Sequence, residues 1–354
     1  MAISTVLPVT GGGIAAAGAA TPSAVHTVDV GGIVAGAVQS PDGSKLYVTA
    51  DGKLKTVDLA TYTVTAQVAL ANSNSDYRQT VISPDGTRVY AVSGQVMNVV
   101  DTTSNTLVAQ VPLPAQNQPA NWPGGRTHTV LISADGATVY VAQDGYTGYG
   151  VPPVPPPGAF AETPGRVLAF ATAQNAFVGQ VAFNGAYLHT IALRPGTRDL
   201  YAASASGLMH LDASTPTPTV VGRVTGLSTA VSTEAFSPDG TKLYVQDSQH
   251  GNQVTPVNPA TDAAQTPVTL ALGIATLSVG PDGTQLRGLH YDSSTGSATV
   301  ASFDATTGAN LPALAVPSTL RATFDATFSP DDSTVYAIGT MPSSYDCAVQ
   351  IIQR

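Results

Sequence analysis

Seven copies of a Ser-Pro-Asp-Gly-like turn share a position six residues before the turn proline or its equivalent. In chain order that position holds Ala35, Arg78, His128, His189, Ser232, Ala275 and Phe324. Its basic members, Arg78, His128 and His189, fall in three consecutive copies. Two imidazoles titrating near neutrality could serve as a general acid and a general base. Arg78, or Arg126 two residues ahead of His128, could hold a carboxylate, enolate or phosphate oxygen. Tyr77 precedes Arg78, Tyr187 stands two residues ahead of His189, and Asp325 follows Phe324 directly. The position four before the turn proline reads Ala37, Thr80, Val130, Ile191, Glu234, Leu277 and Ala326. Glu234 is the one charge in that mostly apolar series. A buried carboxylate must find partners or take up a proton, so the residue predicts either a hydrogen-bond network or a raised pKa. His128, His189, Glu234 and Asp325 are therefore the candidate catalytic residues. Two readings stay open beside acid–base chemistry: polar residues merely lining a wet tunnel, and a metal shared by the histidines with Glu234 or Asp325. The second lacks any diagnostic ligand spacing.

The turns that set this register are Ser40-Pro41-Asp42-Gly43, Ser83-Pro84-Asp85-Gly86, Ser133-Ala134-Asp135-Gly136, Ser237-Pro238-Asp239-Gly240, Gly280-Pro281-Asp282-Gly283 and Ser329-Pro330-Asp331-Asp332, with a degenerate copy at Arg194-Pro195-Gly196-Thr197. They recur every 43 to 61 residues. Most are followed by a Leu-Tyr or Val-Tyr step, as in Leu46-Tyr47 and Val139-Tyr140. Period-2 alternation and β-branched residues mark strands throughout, and no stretch shows a helical period. A period of this length built from strands predicts an all-β, seven-bladed β-propeller with four-stranded antiparallel blades. The last repeat holds only three strands. Val25-His26-Thr27-Val28-Asp29-Val30-Gly31-Gly32 matches the missing fourth, so an N-terminal strand is expected to complete the last blade and remove a bare sheet edge.

The repeats resemble the YVTN family of seven-bladed propellers through Tyr47-Val48-Thr49-Ala50 and Tyr140-Val141-Ala142-Gln143. The resemblance covers residues 25 to 354 and implies the fold. Its members look like surface-layer and cell-envelope proteins, and similar propellers also carry enzymes. The motif is a turn and a strand, so it transfers no catalytic residue.

Strand direction separates the two faces of such a disc. The repeated turn, joining first to second strand, lies on one face. The second-to-third and blade-to-blade connections lie on the other, and these vary. The Pro/Tyr-rich insertion at 144–165 carries Tyr146, Tyr149, Phe160, Glu162 and a polyproline run that stiffens it into a flap. The connection Pro114 to Arg126 carries Trp122, the only tryptophan. His250, His290 and Tyr345 fall in matching connections. Variable loops on one face of a rigid scaffold usually bind. Tyr77, Arg78, Trp122, Arg126, Tyr146, Tyr149, Phe160, Tyr187 and His290 are the candidate substrate-binding residues.

Aspartates account for 21 of the 23 acids. Asp42, Asp85, Asp135, Asp239, Asp282 and Asp331 belong to the repeated turn, and Asp58, Asp101, Asp212 and Asp304 end third strands; turn geometry explains all ten. Arg287 stands where other blades carry Tyr and reads as an exposed exchange. His26 and His210 read as packing or surface residues, and Cys347 as an inert thiol.

Charged residues make up only 10% of the chain and the net charge is −9, which excludes nucleic acid as a partner. No apolar run spans a bilayer. Residues 1–24 read as an N-terminal arm or the remnant of an export signal, and residues 25–354 as one domain; the low charge leans towards a secreted or envelope location. No phosphate loop, dinucleotide fingerprint, Cys-x-x-Cys, His-Glu-x-x-His or nucleophile elbow occurs, so no cofactor is expected. The sequence supports a propeller binding a small organic molecule at its tunnel mouth, with cofactor-independent lyase, cyclase, isomerase or hydrolase chemistry as its catalytic form. The alternative is a secreted or envelope module that recognises protein or glycan through the same loops.

Overall fold

A computed structural model describes residues 22–71, 80–116, 124–145, 163–204, 206–227, 231–247, 252–292, 297–316, 320, 322–341 and 346–354. These residues form seven antiparallel sheets arranged as a seven-bladed propeller, and no helix occurs among them. Blade 3 runs Thr127–Ile132, Thr138–Gln143, Arg166–Ala171 and Ala176–Ala182. Blade 4 runs Leu188–Leu193, Asp199–Ser204, Gly207–Asp212 and Thr219–Arg223. In blade 5 the fourth strand is split into Ala263–Ala264 and Val268–Thr269, which both pair with the third. Blade 7 has Ala322–Phe328 innermost and is completed by Ala24–Asp29, which pairs with Cys347–Gln353 from Ala24↔Gln353 to Asp29↔Ala348.

The repeated turn is self-satisfied. The Ser hydroxyl donates to the Asp carboxylate, at 2.6 Å from Ser133 to Asp135 and from Ser237 to Asp239. The same carboxylate accepts the backbone N–H two residues on. The strand ends behave likewise: Asp58 accepts from the backbone of Ala60 and Thr61, and Asp304 from that of Thr306 and Thr307. All ten aspartates assigned to turns have depressed pKa values caused by these local hydrogen bonds.

The core is a ring of junctions. Seven buried clusters each join two neighbouring blades; Tyr140, Ala142 and Val167 of blade 3, for example, meet Ile191, Leu200 and Ala202 of blade 4. The tyrosine after each turn reaches forward into the next blade. Tyr140 donates to the carbonyl of Ala213, Tyr201 to that of Pro259, while Tyr47 and Tyr90 reach Thr102 and Thr172. Burial of an apolar ring with its hydroxyl satisfied explains why Tyr recurs there.

Arg287 departs from the exposed exchange expected of it. It is 3% exposed and reaches into blade 7 as the tyrosines do, pairing with Asp332 and lying over the Phe328 ring. The position faces the neighbouring blade, so any long side chain placed there is buried.

Candidate functional site

The first strand of several blades breaks register with the second at one equivalent residue. The ladder skips Ala35, His128, His189, Ser232 and Phe324 in blades 1, 3, 4, 5 and 7. A bulge releases its residue from the ladder and re-aims the side chain. In blades 3 and 4 the released residues are the two histidines. Thr127 and Leu188, just before them, are buried and anchor the strand ends.

His128 and His189 face one another across the blade 3–blade 4 junction, with ring centroids 6.3 Å apart at 68°. His128 Nε2 lies 2.7 Å from Asp144 Oδ2. The other oxygen of that carboxylate accepts the backbone N–H of Leu188 at 2.8 Å. Asp144 therefore ties the two strands together and orients the His128 ring, leaving its Nδ1 for a ligand. Tyr187 stacks on His189 with centroids 5.9 Å apart at 9° and is 48% exposed. The pKa of His189 is lowered, first by burial and then by His128, with Asp144 opposing both. The two imidazoles thus have unequal settings, His128 against a carboxylate and His189 against a phenol ring.

A buried polar network holds Asp144. Its backbone N–H donates to the carbonyl of Arg126 and its carbonyl accepts from Gln116 Nε2. Beneath lies Arg166, 5% exposed, whose guanidinium donates to Gln143, Gln180 and the carbonyls of Pro114 and Ala115. Burial lowers its pKa to about 10, so it stays cationic. Gly125 permits the close approach, because a Cβ there would sit 1.7 Å from the Asp144 carbonyl oxygen. Beside this base a cavity of about 410 Å³ opens between Thr163–Pro164 and Ala182–Gly185.

Of the candidates read from the sequence, the structure brings together His128, His189 and Tyr187. Arg126 is exposed next to them. His290 lies in blade 6, its Nδ1 2.8 Å from the Gly273 carbonyl, and Asp325 lies in blade 7, accepting from the backbone N–H of Ala326. Glu234 is 8% exposed in blade 5, its carboxylate oxygens accept no hydrogen bond among the described residues, and burial raises its pKa well above the usual range. Tyr77, Arg78, Trp122, Tyr146, Tyr149 and Phe160 lie outside the described residues, as do Glu162, His250 and Tyr345. Asp144 and Arg166 had not been singled out. Only the register that puts Asp144 directly after the second strand of blade 3, beside the end bearing His128, could have pointed to it. His210 sits elsewhere, 2.8 Å from Asp262 and stacked on Tyr201. Among the described residues no three His, Cys, Asp or Glu side chains converge to hold a metal ion, and no helix is long and apolar enough to cross a membrane.

Hydrazine synthase of Kuenenia stuttgartiensis is similar in structure, with a TM-score of 0.61 at 15% identity over 90% of this chain and 94% of that one. That likeness extends to the propeller fold alone. No family model matches the sequence, and no curated protein matches it.

Proposed function

We propose that the protein binds a small organic molecule at the tunnel mouth between blades 3 and 4, and that His128 and His189 transfer protons on it without a cofactor. The observation that carries this reading is the His128–Asp144 pair, 2.7 Å long, set opposite His189 on released bulge positions. His189, its basicity lowered chiefly by burial, is assigned the role of proton acceptor. Asp144 is a positioning residue that holds the His128 ring. Tyr187 offers a flat apolar wall, and Tyr77, Arg78, Trp122, Arg126, Tyr146, Tyr149 and Phe160 are proposed as further contacts. The reaction class is lyase, cyclase, isomerase or hydrolase, on a propeller of the YVTN type.

The test is a saturation-transfer NMR screen of small carboxylic acids, lactones and amides, followed by assays of turnover on the hits. His128→Ala combined with His189→Ala should abolish binding or turnover and leave the melting temperature unchanged. Activity that survives both changes overturns the catalytic reading.

A second reading has its own support. Among the described residues, the exposed Val108, Val178, Val220 and Val221 lie on outer fourth strands, whereas the exposed Ile33, Tyr187 and Tyr291 lie at strand ends on the histidine-bearing face. Such residues suit a protein or glycan surface docking on that face. Replacing Ile33 and Tyr291 by Ser, both remote from the histidines, would weaken such docking and leave small-molecule binding intact.

A further inference from the structure

The seven repeats serve as their own alignment, and the departures of blade 1 converge on one place. Immediately before the turn, six blades carry an apolar residue: Ile82, Ile132, Leu193, Phe236, Val279 and Phe328. Blade 1 carries Gln39. Its Nε2 donates to the Gly43 carbonyl at 3.4 Å, but its Oε1 is shielded from solvent and accepts no hydrogen bond. A buried acceptor without a donor calls for an explanation.

The turn between third and fourth strands shows the second departure. It contains one left-handed residue, which is Asn105, Asn175, Asp262 and Gly308 in blades 2, 3, 5 and 6. Those types tolerate the conformation. Blade 1 places Tyr62 there at φ 55°, and a bulky aromatic in this region is strained. Tyr62 is held in place from the closing seam. His26 stacks on one face at 3.5 Å, and Gln353 Nε2 donates to its hydroxyl at 3.0 Å.

Third, adjacent turns touch between blades 1 and 2, 2 and 3, 4 and 5, and 5 and 6, but separate at the seam, as they also do at Gly196 between blades 3 and 4. A Cβ at Gly86 would lie 3.3 Å from Pro41, one at Gly136 2.9 Å from Pro84, and one at Gly283 3.8 Å from Pro238. At Gly43 it would meet only Gln39. The gap between blades 7 and 1 is a cavity of about 370 Å³ on the turn face, opposite the histidines. Gln39 and Tyr62 both line it, with Asp42, Asp331, Ser333 and Gln353.

We propose that this seam cavity is a second binding site, for an uncharged saccharide. The lining holds no Lys, Arg or His, so an anionic ligand has no counter-charge. Its charged groups are the Asp42 and Asp331 carboxylates, whose second oxygens each take a single Ser hydroxyl and keep acceptor capacity. A ligand must therefore bring several donors spread over its surface. Tyr62, stacked on His26 and half-buried, lines the cavity and presents its remaining ring surface to an apolar C–H face. A sugar ring combines both features, and the volume falls within the range of small-molecule sites. The site is independent of the tunnel-mouth reading and stands or falls without it.

The test uses the whole chain with cellobiose, maltose and diacetylchitobiose as probes, and putrescine as a cationic control, read by saturation-transfer NMR. Tyr62→Asn and Gln39→Ile restore the residue types found in the other blades, so neither is expected to lower the melting temperature. At least one disaccharide should bind the wild type, and each substitution should weaken it by about tenfold or more, as for loss of one good contact. If Tyr62→Asn fails to fold because the His26 stack is lost, Gln39→Ile carries the comparison. Binding of none of the three sugars, binding of putrescine alone, or sugar binding unchanged in Gln39→Ile overturns the proposal.

Discussion

Arg287 of blade 6 pairs with Asp332 of blade 7, and each is an exception to the repeat. Arg287 replaces the forward-reaching Tyr. Asp332 replaces the turn Gly and adopts its left-handed backbone, at φ 63°. A third exception completes the set: the turn of blade 6 begins with Gly280 in place of Ser, and a Cβ there would lie 2.8 Å from Arg287 Nη2. Asp332 also takes Arg354 on its second oxygen. Three departures from the repeat are thus one interaction, in which a buried guanidinium needs room at 280 and a carboxylate at 332.

Asp332→Gly should therefore destabilise, although it restores the common turn residue and relieves a strained φ. It strands a guanidinium whose side chain is 4% exposed, and removing one partner of a buried pair costs on the order of 3 kcal/mol. The triple change Gly280→Ser, Arg287→Tyr, Asp332→Gly should recover most of that loss. Urea unfolding of the two variants and the wild type decides it; an Asp332→Gly protein as stable as wild type would show that the pair contributes nothing.

Glu234 predicts a stability that falls as pH rises. Unfolded, its carboxyl titrates near 4.5; folded, burial raises the value well above that. Below 4.5 both states are protonated and the residue costs nothing. Above it the unfolded chain releases a proton that the folded chain retains, so stability drops by up to about 1.4 kcal/mol per pH unit until the folded value is passed. Glu234→Gln should match the wild type near pH 4 and exceed it increasingly towards neutrality. Melting temperatures of the two proteins across that range test the sign.

The turn aspartates act in the opposite sense. Their folded pKa values lie below the usual 3.8, at about 2 for Asp42 and Asp239. The stability they contribute is complete above 3.8 and is lost as pH falls through the folded values. Melting temperature should decline between about 3.8 and about 2, and Asp239→Asn should flatten part of that decline while lowering stability at neutral pH.

The ring itself was legible because a repeat maps equal register onto equal place. Counting back from each turn put His128 and His189 in neighbouring blades, and the strand pattern at Val25–Asp29 showed what closes blade 7. What the repeat does not encode stayed hidden. Asp144 opens a connection of unique length, and Arg166 with Gln143 reads as a solvent-facing pair until their burial is seen. Arg287 was misread because nothing in the sequence says that the tyrosine position faces the next blade. For Glu234 burial itself was readable from the apolar company it keeps, whereas its lack of partners was not.

The histidine pair can be examined without knowing a ligand. His189 has a pKa lowered from 6.5 by burial first, with Asp144 raising it and His128 lowering it. Asp144→Asn removes the opposing charge and should drive the value further down. His128→Ala removes the like-charged neighbour and should move it up. Proton–carbon correlation spectra followed through the titration report His189 directly, and opposite displacements in the two variants are the outcome expected if Asp144 and His128 act on His189 through their charges. Displacement in the same direction would mean that each change acts through collapse of the bulge. A simple loss of structure would then explain the site, and neither residue would be tuning the other.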